Sequence, residues 1–393
     1  MALTGLFIIL AVMLTLLFLG VPISYCIGIS SLSAILTTID LDVAVLTAAQ
    51  RTFVGMSKFS LTAIPFFILA GNIMNQGGIA KKLVNFVMAI LGKLPGALLV
   101  TNVGTNALFG SISGSASAAA AAVGSMIRDG ADEAGYDPAL TAATNAASAP
   151  SGLLIPPSNA MITFSLAAGG TSVAALFTAT LDAIPSLSLI IVVIGGIIGG
   201  IFSATEGSAI AVVYSLILAF CYKSIDLKKL WNIIVDSAKT SGMVVFLIGV
   251  SNILGWVMAF MQIPDAVAAA LLGLTDNKYV ILLIMNVILL IAGTFMDVTP
   301  AILIFTPLFL PICQGFGMHP IHFGLILIYN LCIGNITPPV GNTLFVGIKV
   351  GRTTLAKVLP YMLIYYVAII AGLLLVTYIP AVSMILPQLA GLA

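Results

Sequence analysis

Two short stretches of hydroxyl, glycine and acidic residues interrupt otherwise apolar parts of the chain. Ser111 to Ser117 has the sequence SISGSAS, and Gly293 to Thr299 has the sequence GTFMDVT, in which Asp297 is the only acidic residue. Sodium, like the hard divalent cations, prefers oxygen ligands. Backbone carbonyls freed where a membrane helix is interrupted supply such ligands, and Ser or Thr hydroxyls complete the shell. The two stretches are therefore candidate cation sites.

The second stretch lies 182 residues after the first, and the same offset matches other residues of the two halves. The first-half residues Gly135, Pro138, Gly152, Pro156, Pro157, Gly169 and Thr171 match Gly317, Pro320, Gly334, Pro338, Pro339, Gly351 and Thr353. Most of these are Gly or Pro, which fix backbone shape. They lie in or near the segments PSGLLIPPSN and IGNITPPVGN. Interrupted apolar segments at corresponding positions of two halves indicate a transporter binding site.

The composition places these stretches in a membrane. Hydrophobic residues make up 61% of the 393 residues, and only 7% are charged. No soluble core can use that much apolar surface, so we predict a polytopic membrane protein in a lipid bilayer. The net charge of +1 gives no reason to expect a nucleic-acid partner. The four cysteines are scattered without metal-ligand spacing, which favours packing roles.

We expect each candidate stretch to form the tip of a re-entrant hairpin, over 94–127 and 279–312, with arms too short to span comfortably. Non-helical backbone survives at membrane depth only where it lines a cavity inside the protein. Broken helices are predicted over 138–167 and 321–350. The predicted fold is thus an all-α polytopic membrane protein with an inverted repeat, two re-entrant helical hairpins and two broken helices.

Five regions follow from this pattern. They are 1–60, with scaffold helices and an interfacial helix; 61–172, the first repeat; 173–240, connecting helices and a cytoplasmic loop; 241–358, the second repeat; and 359–393, a C-terminal helix. If loops at 76–94, 128–137, 223–240 and 349–358 are cytoplasmic, every Lys and Arg lies inside except Arg51, Lys58 and Lys278. The two hairpins then open to opposite faces. Two predicted spans, 173–202 and 206–222, leave the number of crossings inconsistent with this orientation.

The sequence resembles the large membrane (M) subunit of tripartite ATP-independent periplasmic (TRAP) transporters. The resemblance rests on IPFFILAGNIMNQGGIAKKLV, LFGSISGSASAAAAAVGSMI, AGYDPALTAAT, LIPPSN, ATEGSAIAVVYSL, SGMVVFLIG, LGWVMAF and GTFMDVTPAILIFTPLFLPI, in the family's order. It implies a sodium-coupled elevator in the bacterial cytoplasmic (inner) membrane. It also implies a small membrane (Q) subunit and a periplasmic substrate-binding protein that delivers an organic acid, of the sialic acid or C4-dicarboxylate type. The sequence departs from the family at 174–184, where the family usually has a further helix and a basic loop.

Each hairpin tip and its broken helix define one predicted Na+ site. The first site combines Ser111, Ser113, Gly114, Ser115, Ser148 and Gly152. The second combines Gly293, Thr294, Met296, Ile333, Gly334 and Thr337. An organic acid is expected between the tips, where helix N-termini favour a carboxylate. The residues expected around it are Ser115, Ser117, Ser158, Asn159, Asp297, Thr299 and Asn342. No Lys or Arg lies in either tip or break.

Several interpretations of these residues remain open. The small residues could merely allow close helix packing. Asp297, costly at mid-depth by about 2.5 kcal/mol or more, could ligate a cation, bind substrate hydroxyls or accept backbone N–H bonds; the last two are favoured. Glu206 could cap the helix that it opens or take part in coupling.

Other functions are also compatible with parts of the pattern. The nearest alternative is a stand-alone sodium-coupled carboxylate symporter without a binding protein. A channel fits one chain with an internal repeat less well than alternating access does. An intramembrane enzyme is a distant alternative, because the chain has no HExxH motif and its two histidines lie far from Ser113.

Overall fold

The computed structural model describes residues 2–76, 84, 87–88, 96–155, 158–168, 203–221, 225–275, 277–338 and 341–389. The helices of these parts are α1 (Ala2–Phe18), α2 (Ile23–Ile35), α3 (Leu41–Met56), α4 (Ala63–Gln76), α5 (Ala97–Ser113), α6 (Ala116–Glu133), α7 (Pro138–Ser148), α8 (Asn159–Ala167), α9 (Ala204–Cys221), α10 (Leu227–Phe260), α11 (Ile263–Leu274), α12 (Lys278–Phe295), α13 (Val298–Gly315), α14 (Pro320–Gly334), α15 (Asn342–Val350), α16 (Leu355–Tyr378) and α17 (Ala381–Leu389). Short 3₁₀ helices cover Phe59–Thr62 and Ala149–Leu154. The described chain contains no β-strand.

The two hairpins are present, and each turns within two residues. Gly114 and Ser115, here the first tip, join α5 to α6, while Met296 and Asp297, the second tip, join α12 to α13. Gly114 ends α5 in the left-handed conformation (φ 64°), which glycine adopts without a Cβ penalty. Ser115 caps α6 by accepting a hydrogen bond from the Ala118 N–H, and Asp297 caps α13 through the Val298 N–H at 2.9 Å.

The hairpin arms are longer than the sequence predicts. They contain 17 or 18 residues each, or about 26 Å at 1.5 Å per residue. The first hairpin extends because α6 runs on to Glu133, so the prediction of a loop over 128–137 is wrong for most of its length. An ion pair between Arg128 and Asp132, one turn apart at 3.1 Å, supports this last part of α6.

The two broken helices lie where the repeat predicts them. The first consists of α7, the 3₁₀ turn and α8, and the second consists of α14 and α15. Pro138 and Pro320 each occupy the first turn of their helix, where a missing N–H costs nothing. Asp137 caps α7 and accepts a hydrogen bond from the Tyr361 hydroxyl, which lowers the pKa of that carboxyl group.

The two repeats interlock in the same way on both sides. The second half of the first broken helix, α8, packs against α13 of the second hairpin. Its counterpart α15 packs against α6 of the first hairpin. The Arg128 guanidinium fastens the latter contact by donating to the Val350 carbonyl at 3.0 Å. Hairpins and broken helices therefore form one packed block.

A long helix, α10, packs against both this block and the N-terminal helices. α10 packs against α2, α3 and α4 on one side and against α13 on the other. It starts at Leu227, so the predicted loop over 223–240 is wrong from that residue onward, and the boundary predicted at 240 lies inside a continuous helix. Asp226 caps the helix through the Lys229 N–H, and buried Ile233 and Ser237 anchor its first turns.

Four described helices are long and apolar enough to cross a membrane: Leu227–Phe260, Lys278–Phe295, Val298–Gly315 and Leu355–Tyr378. The chain is therefore a multi-pass membrane protein. Most of the loop predicted at 76–94 lies outside the described residues, as do the predicted span at 173–202 and the stretch 174–184. Of the two spans that left the number of crossings inconsistent, only the one predicted at 206–222 is described, by α9.

Buried asparagine pairs tie each hairpin to its broken helix. In the first repeat Asn106 donates to the Asn145 side-chain oxygen at 3.0 Å, and Asn145 donates to the Ala120 carbonyl at 2.8 Å. In the second repeat Asn330 donates to the Asn286 side-chain oxygen at 2.8 Å. Since an unpaired buried amide is costly, these pairs hold the hairpin arms in register with the broken helices.

Asn145→Ala is expected to destabilise the folded protein by about 1 to 3 kcal/mol, because it removes two buried hydrogen bonds between the first hairpin and α7. Thermal unfolding in detergent measures the effect. The exposed Gln314 at the end of α13 supplies the control, since Gln314→Ala removes no buried contact. Equal unfolding midpoints for both variants would show that the asparagine pair does not fix the hairpin.

Candidate functional site

Both hairpin tips open into one cavity of about 240 Å³, here the tip cavity. The first tip and the residues beside it contribute Ser113 to Ala118, and the second tip with the start of α13 contributes Asp297 to Thr299. The walls opposite the tips come from α4, with Ile64 to Asn72, and from α10, with Thr240 and Val244. The cavity therefore lies between the block of hairpins and broken helices and the helices that flank it.

The polar groups of the tip cavity are hydroxyls, amides and one carboxylate. The Asp297 carboxylate faces the cavity, and the Asn335 amide reaches toward it at 3.4 Å. The Ser115 and Ser117 hydroxyls lie 3.2 Å apart on the first tip. Thr163 is 1% exposed, and its hydroxyl has no hydrogen-bond partner among the described residues. This buried hydroxyl therefore lacks a described partner beside the cavity without being exposed to it.

Helix N-termini supply the positive potential of the cavity. α6 starts at Ala116 and α13 starts at Val298, and both starting residues line the tip cavity. Free N–H groups at a helix start, together with the helix dipole, attract anions. Among the described lining residues there is no Lys or Arg. An acid group in this cavity would thus depend on helix ends, hydroxyls and any bound cation.

At the first predicted Na+ site, the tip and the broken helix touch through backbone. A Cβ on Gly110 would lie 2.9 Å from the Gly152 Cα, so the end of α5 lies directly against the 3₁₀ turn. Ser113, Gly114 and Ser115 line the cavity. Ser111 and Ser148 lie deeper, and their hydroxyls donate to the helix carbonyls of Leu108 and Thr144.

The second predicted Na+ site has the corresponding contact. A Cβ on Gly334 would lie 2.5 Å from the Cα and the carbonyl carbon of Gly293. The Thr294 carbonyl accepts a hydrogen bond from the Gly341 N–H at 3.2 Å, which closes the second break onto the hairpin. The buried Thr294 hydroxyl donates to the Ile291 carbonyl.

The carbonyl oxygens around the second break differ in the number of hydrogen bonds that they accept. The Ile333 carbonyl accepts from the Ile336 N–H and from the Thr337 hydroxyl, which fills both lone pairs. The Gly334 carbonyl accepts from the Thr337 N–H. The Met296 backbone is extended, at φ −132° and ψ 153°. The predicted donors at both sites are backbone carbonyls and hydroxyls, the type of ligand that a hard cation prefers, but the Ile333 carbonyl has no lone pair left for a cation.

Four of the predicted substrate residues line the tip cavity: Ser115, Ser117, Asp297 and Thr299. Two others, Ser158 and Asn342, do not line it. Ser158 is fully buried and caps α8, and Asn342 is exposed at the start of α15. Asn159 is the first residue of α8, and its side chain lies outside the described part of the structure.

The structure adds cavity residues that the sequence did not indicate. Asn335 and Thr163 come from the broken helices, and Asn72 and Thr240 come from α4 and α10. Asn335 lies within the IGNITPPVGN segment, so its position beside a break was a usable signal. Nothing in the sequence indicated Thr163 or Thr240, because a threonine in an apolar helix usually forms a hydrogen bond with its own backbone.

Glu206 lies in a capping box at the start of α9. Its carboxylate accepts from the Ser203 N–H at 2.7 Å, and its own N–H donates to the Ser203 hydroxyl at 3.3 Å. Glu206 is exposed and does not line the tip cavity. Its contacts are those of a cap.

Two hairpins whose tips share a cavity, each packed on a broken helix, define a helical membrane transporter. Comparison with known proteins supports this class. The model of the family described as "Tripartite ATP-independent periplasmic transporter, DctM component" matches residues 10–181 and 178–382. The chain belongs to this family, and it is a transporter permease rather than an enzyme.

Relatives match over nearly the whole chain. An uncharacterized protein of Salmonella typhimurium, YgiK, is 47% identical, covering 94% of each chain. The C4-dicarboxylate TRAP transporter large permease DctM of Rhodobacter capsulatus is 33% identical over 98% of this chain and 99% of its own length. The isethionate TRAP transporter permease DctMQ of Oleidesulfovibrio alaskensis is 36% identical. The alignment covers 94% of this chain and 64% of that longer protein.

The fold also matches a solved transporter. The YdaH transporter of Alcanivorax borkumensis superimposes with a TM-score of 0.63 at 15% identity, over 86% of this chain and 89% of that one. The alignment with YgiK covers 409 positions, more than the 393 residues present here, so that relative has residues this chain lacks. The two family matches meet at 178–181, within the stretch where the sequence departs from the family.

Proposed function

We propose that this permease imports a small organic acid together with Na+ by an elevator movement of the block that carries both tips. The observation that carries the proposal is the tip cavity, in which both tips present hydroxyls, helix starts and the Asp297 carboxylate to one space. The close contacts of Gly110 with Gly152 and of Gly293 with Gly334 pack the backbone of each hairpin directly against its break. Sodium bound there would add positive charge where no Lys or Arg lies in the described lining.

An acidic substrate is supported by the two helix starts that line the cavity. The names of two relatives also support it, since one is a C4-dicarboxylate permease and the other an isethionate permease. Both named substrates are small acids, a carboxylate in one case and a sulfonate in the other. We therefore propose an organic acid of the C4-dicarboxylate, isethionate or sialic acid type.

The elevator movement is supported by the packing of the repeats. α8 packs on α13 and α15 packs on α6, so the hairpins and broken helices are joined to each other across the two repeats. The tip cavity lies between this block and the helices α4 and α10. An elevator movement requires a packed block that carries the ligand site along a separate wall of helices.

The family name describes a tripartite transporter. We propose that this chain works in the bacterial inner membrane with a small membrane subunit and a periplasmic binding protein, as the fused DctMQ relative suggests for the membrane part. The alternative without a binding protein remains a stand-alone sodium-coupled symporter.

Uptake into proteoliposomes tests the proposal. Succinate, isethionate and N-acetylneuraminate are supplied outside, with an inward Na+ gradient or an equal K+ gradient, and with or without the organism's binding protein and small subunit. We expect Na+-driven uptake of one acid that requires both partners. Uptake by the chain alone would favour the stand-alone symporter, and uptake driven equally by K+ would refute sodium coupling.

A further inference from the structure

A second cavity, here the Arg51 cavity, lies beside the block and has a volume of about 360 Å³. This is within the range of about 300 to 1,000 Å³ that ligand pockets occupy. Arg51 and Lys58 line it from α3 and the turn that follows, and Asn252 and Trp256 line it from α10. α8 and α13 form the opposite wall. None of these residues belongs to the tip cavity.

Three helices lead from the tip cavity to the Arg51 cavity. α10 lines the first with Val244 and the second with residues that include Trp256, which lies about 18 Å further on at 1.5 Å per residue. α8 passes from Thr163 to Ala167 in the same direction, and α13 passes from Thr299 to Pro307. The two cavities therefore lie in series along one groove between the block and α10. The loops that hold most Lys and Arg residues are predicted to be cytoplasmic. In that orientation, Arg51 and Lys58 lie at the outer end of this groove.

Arg51 and Lys58 are positive charges without an acidic partner. Both are exposed, and neither forms an ion pair within the described part of the chain. The Arg51 guanidinium lies over the Trp256 ring at 5.6 Å, which holds its planar group while leaving its N–H edge free to bind. A carboxylate or sulfonate matches a guanidinium in two parallel hydrogen bonds, and a neighbouring ammonium adds a point charge.

We propose that the Arg51 cavity is an anion-binding site that receives the acid group of the transported substrate before the substrate reaches the tip cavity. The inference rests on the proposed import of an organic acid. It assigns the two cavities different tasks: paired cations attract and orient the incoming anion at the outer end, whereas hydroxyls and helix ends hold it between the tips. Binding at Arg51 and Lys58 is independent of Na+, because the cation-ligand groups lie at the tips.

Trp256 offers a direct readout of this site. The chain has two tryptophans, and Trp231 is 66% exposed near the other end of α10. Trp231→Phe therefore leaves Trp256 as the only indole. The variant is placed in phosphatidylcholine nanodiscs, and its fluorescence is followed while succinate, isethionate or N-acetylneuraminate replaces chloride at constant ionic strength, in Na+ or in K+.

We expect a saturable change with one of the three acids, equal in Na+ and K+. Its midpoint should rise at least tenfold in Lys58→Met and in Arg51→Gln, and by a smaller factor in Arg51→Lys, which keeps the positive charge but loses the second parallel hydrogen bond. Lys278→Met, which removes another outer cation distant from the groove, and Asp297→Asn, which alters the tip, should leave it unchanged. In uptake, Lys58→Met should raise KM and leave kcat nearly constant.

Three results would overturn the inference. They are the absence of a saturable change with all three acids, an unchanged midpoint in Arg51→Gln, or a change that appears only when phosphatidylglycerol is added, which would make the cavity a lipid headgroup site. The inference and the proposed function fail separately. Na+-driven uptake that is insensitive to Lys58→Met would refute this site alone, and acid binding at Trp256 without Na+-driven uptake would refute the coupling alone.

Discussion

Asp297→Asn is expected to lower the rate of substrate uptake by about 10- to 100-fold while the protein stays folded. A hydrogen bond to a charged group is worth about 1.5 to 3 kcal/mol, and each 1.4 kcal/mol is a factor of ten. Asparagine is as good a helix cap as aspartate, so the Val298 N–H keeps its acceptor. What the variant loses is the negative charge that faces the tip cavity.

The comparison for this variant is Asp265→Asn. Asp265 lies in the first turn of α11 and does not line the tip cavity. Its loss should leave uptake within about twofold of the parent, since a single exposed helix-start charge is worth less than 1 kcal/mol. Full uptake by Asp297→Asn, measured in proteoliposomes at matched protein amounts, would remove the carboxylate from the mechanism.

Gly334→Ala is expected to separate the second break from its hairpin. The added methyl group would lie 2.5 Å from the Cα and the carbonyl carbon of Gly293, and backbone on both sides cannot rotate away. Overpacking of this kind costs about 1 to 3 kcal/mol. Because Gly293 and Gly334 both belong to the second predicted Na+ site, we expect a lower unfolding midpoint and a loss of the response to Na+.

Gly273→Ala in α11 supplies the matched control. Nothing lies within 4 Å of a Cβ at this position, so the change adds a methyl group without a clash. It should leave the unfolding midpoint and its dependence on Na+ unchanged or slightly improve stability. If Gly334→Ala behaved in the same way, the close contact between tip and break would not contribute to cation binding.

The sequence predicted the hairpins and broken helices because Gly and Pro constrain backbone locally. The 182-residue offset also relates equivalent residues in the structure, since Ser115 and Asp297 each cap the second helix of their hairpin. Helix lengths were less predictable. α6 continues through Arg128 because that side chain finds Asp132 and the Val350 carbonyl, which are contacts that only the packed structure provides.

The candidate site was predictable in its tips but not in its walls. Ser115, Ser117, Asp297 and Thr299 face the tip cavity as expected. Ser158 and Asn342 do not, because their positions depend on how the chain folds back after each break. Thr240 and Asn72 come from helices far away in sequence, and no local pattern indicates that a wall will lie opposite a tip.

The measurement that tests the central claim most directly is thermal unfolding of the purified protein in a titration of Na+ against K+ at constant ionic strength. A ligand that binds only the folded state stabilises it by about 2.7 kcal/mol at a concentration of 100 Kd. The proposed sites predict a rise of the unfolding midpoint with Na+ and not with K+, and its weakening in Ser113→Ala. Identical curves in the two salts would contradict the assignment of Na+ to the tips.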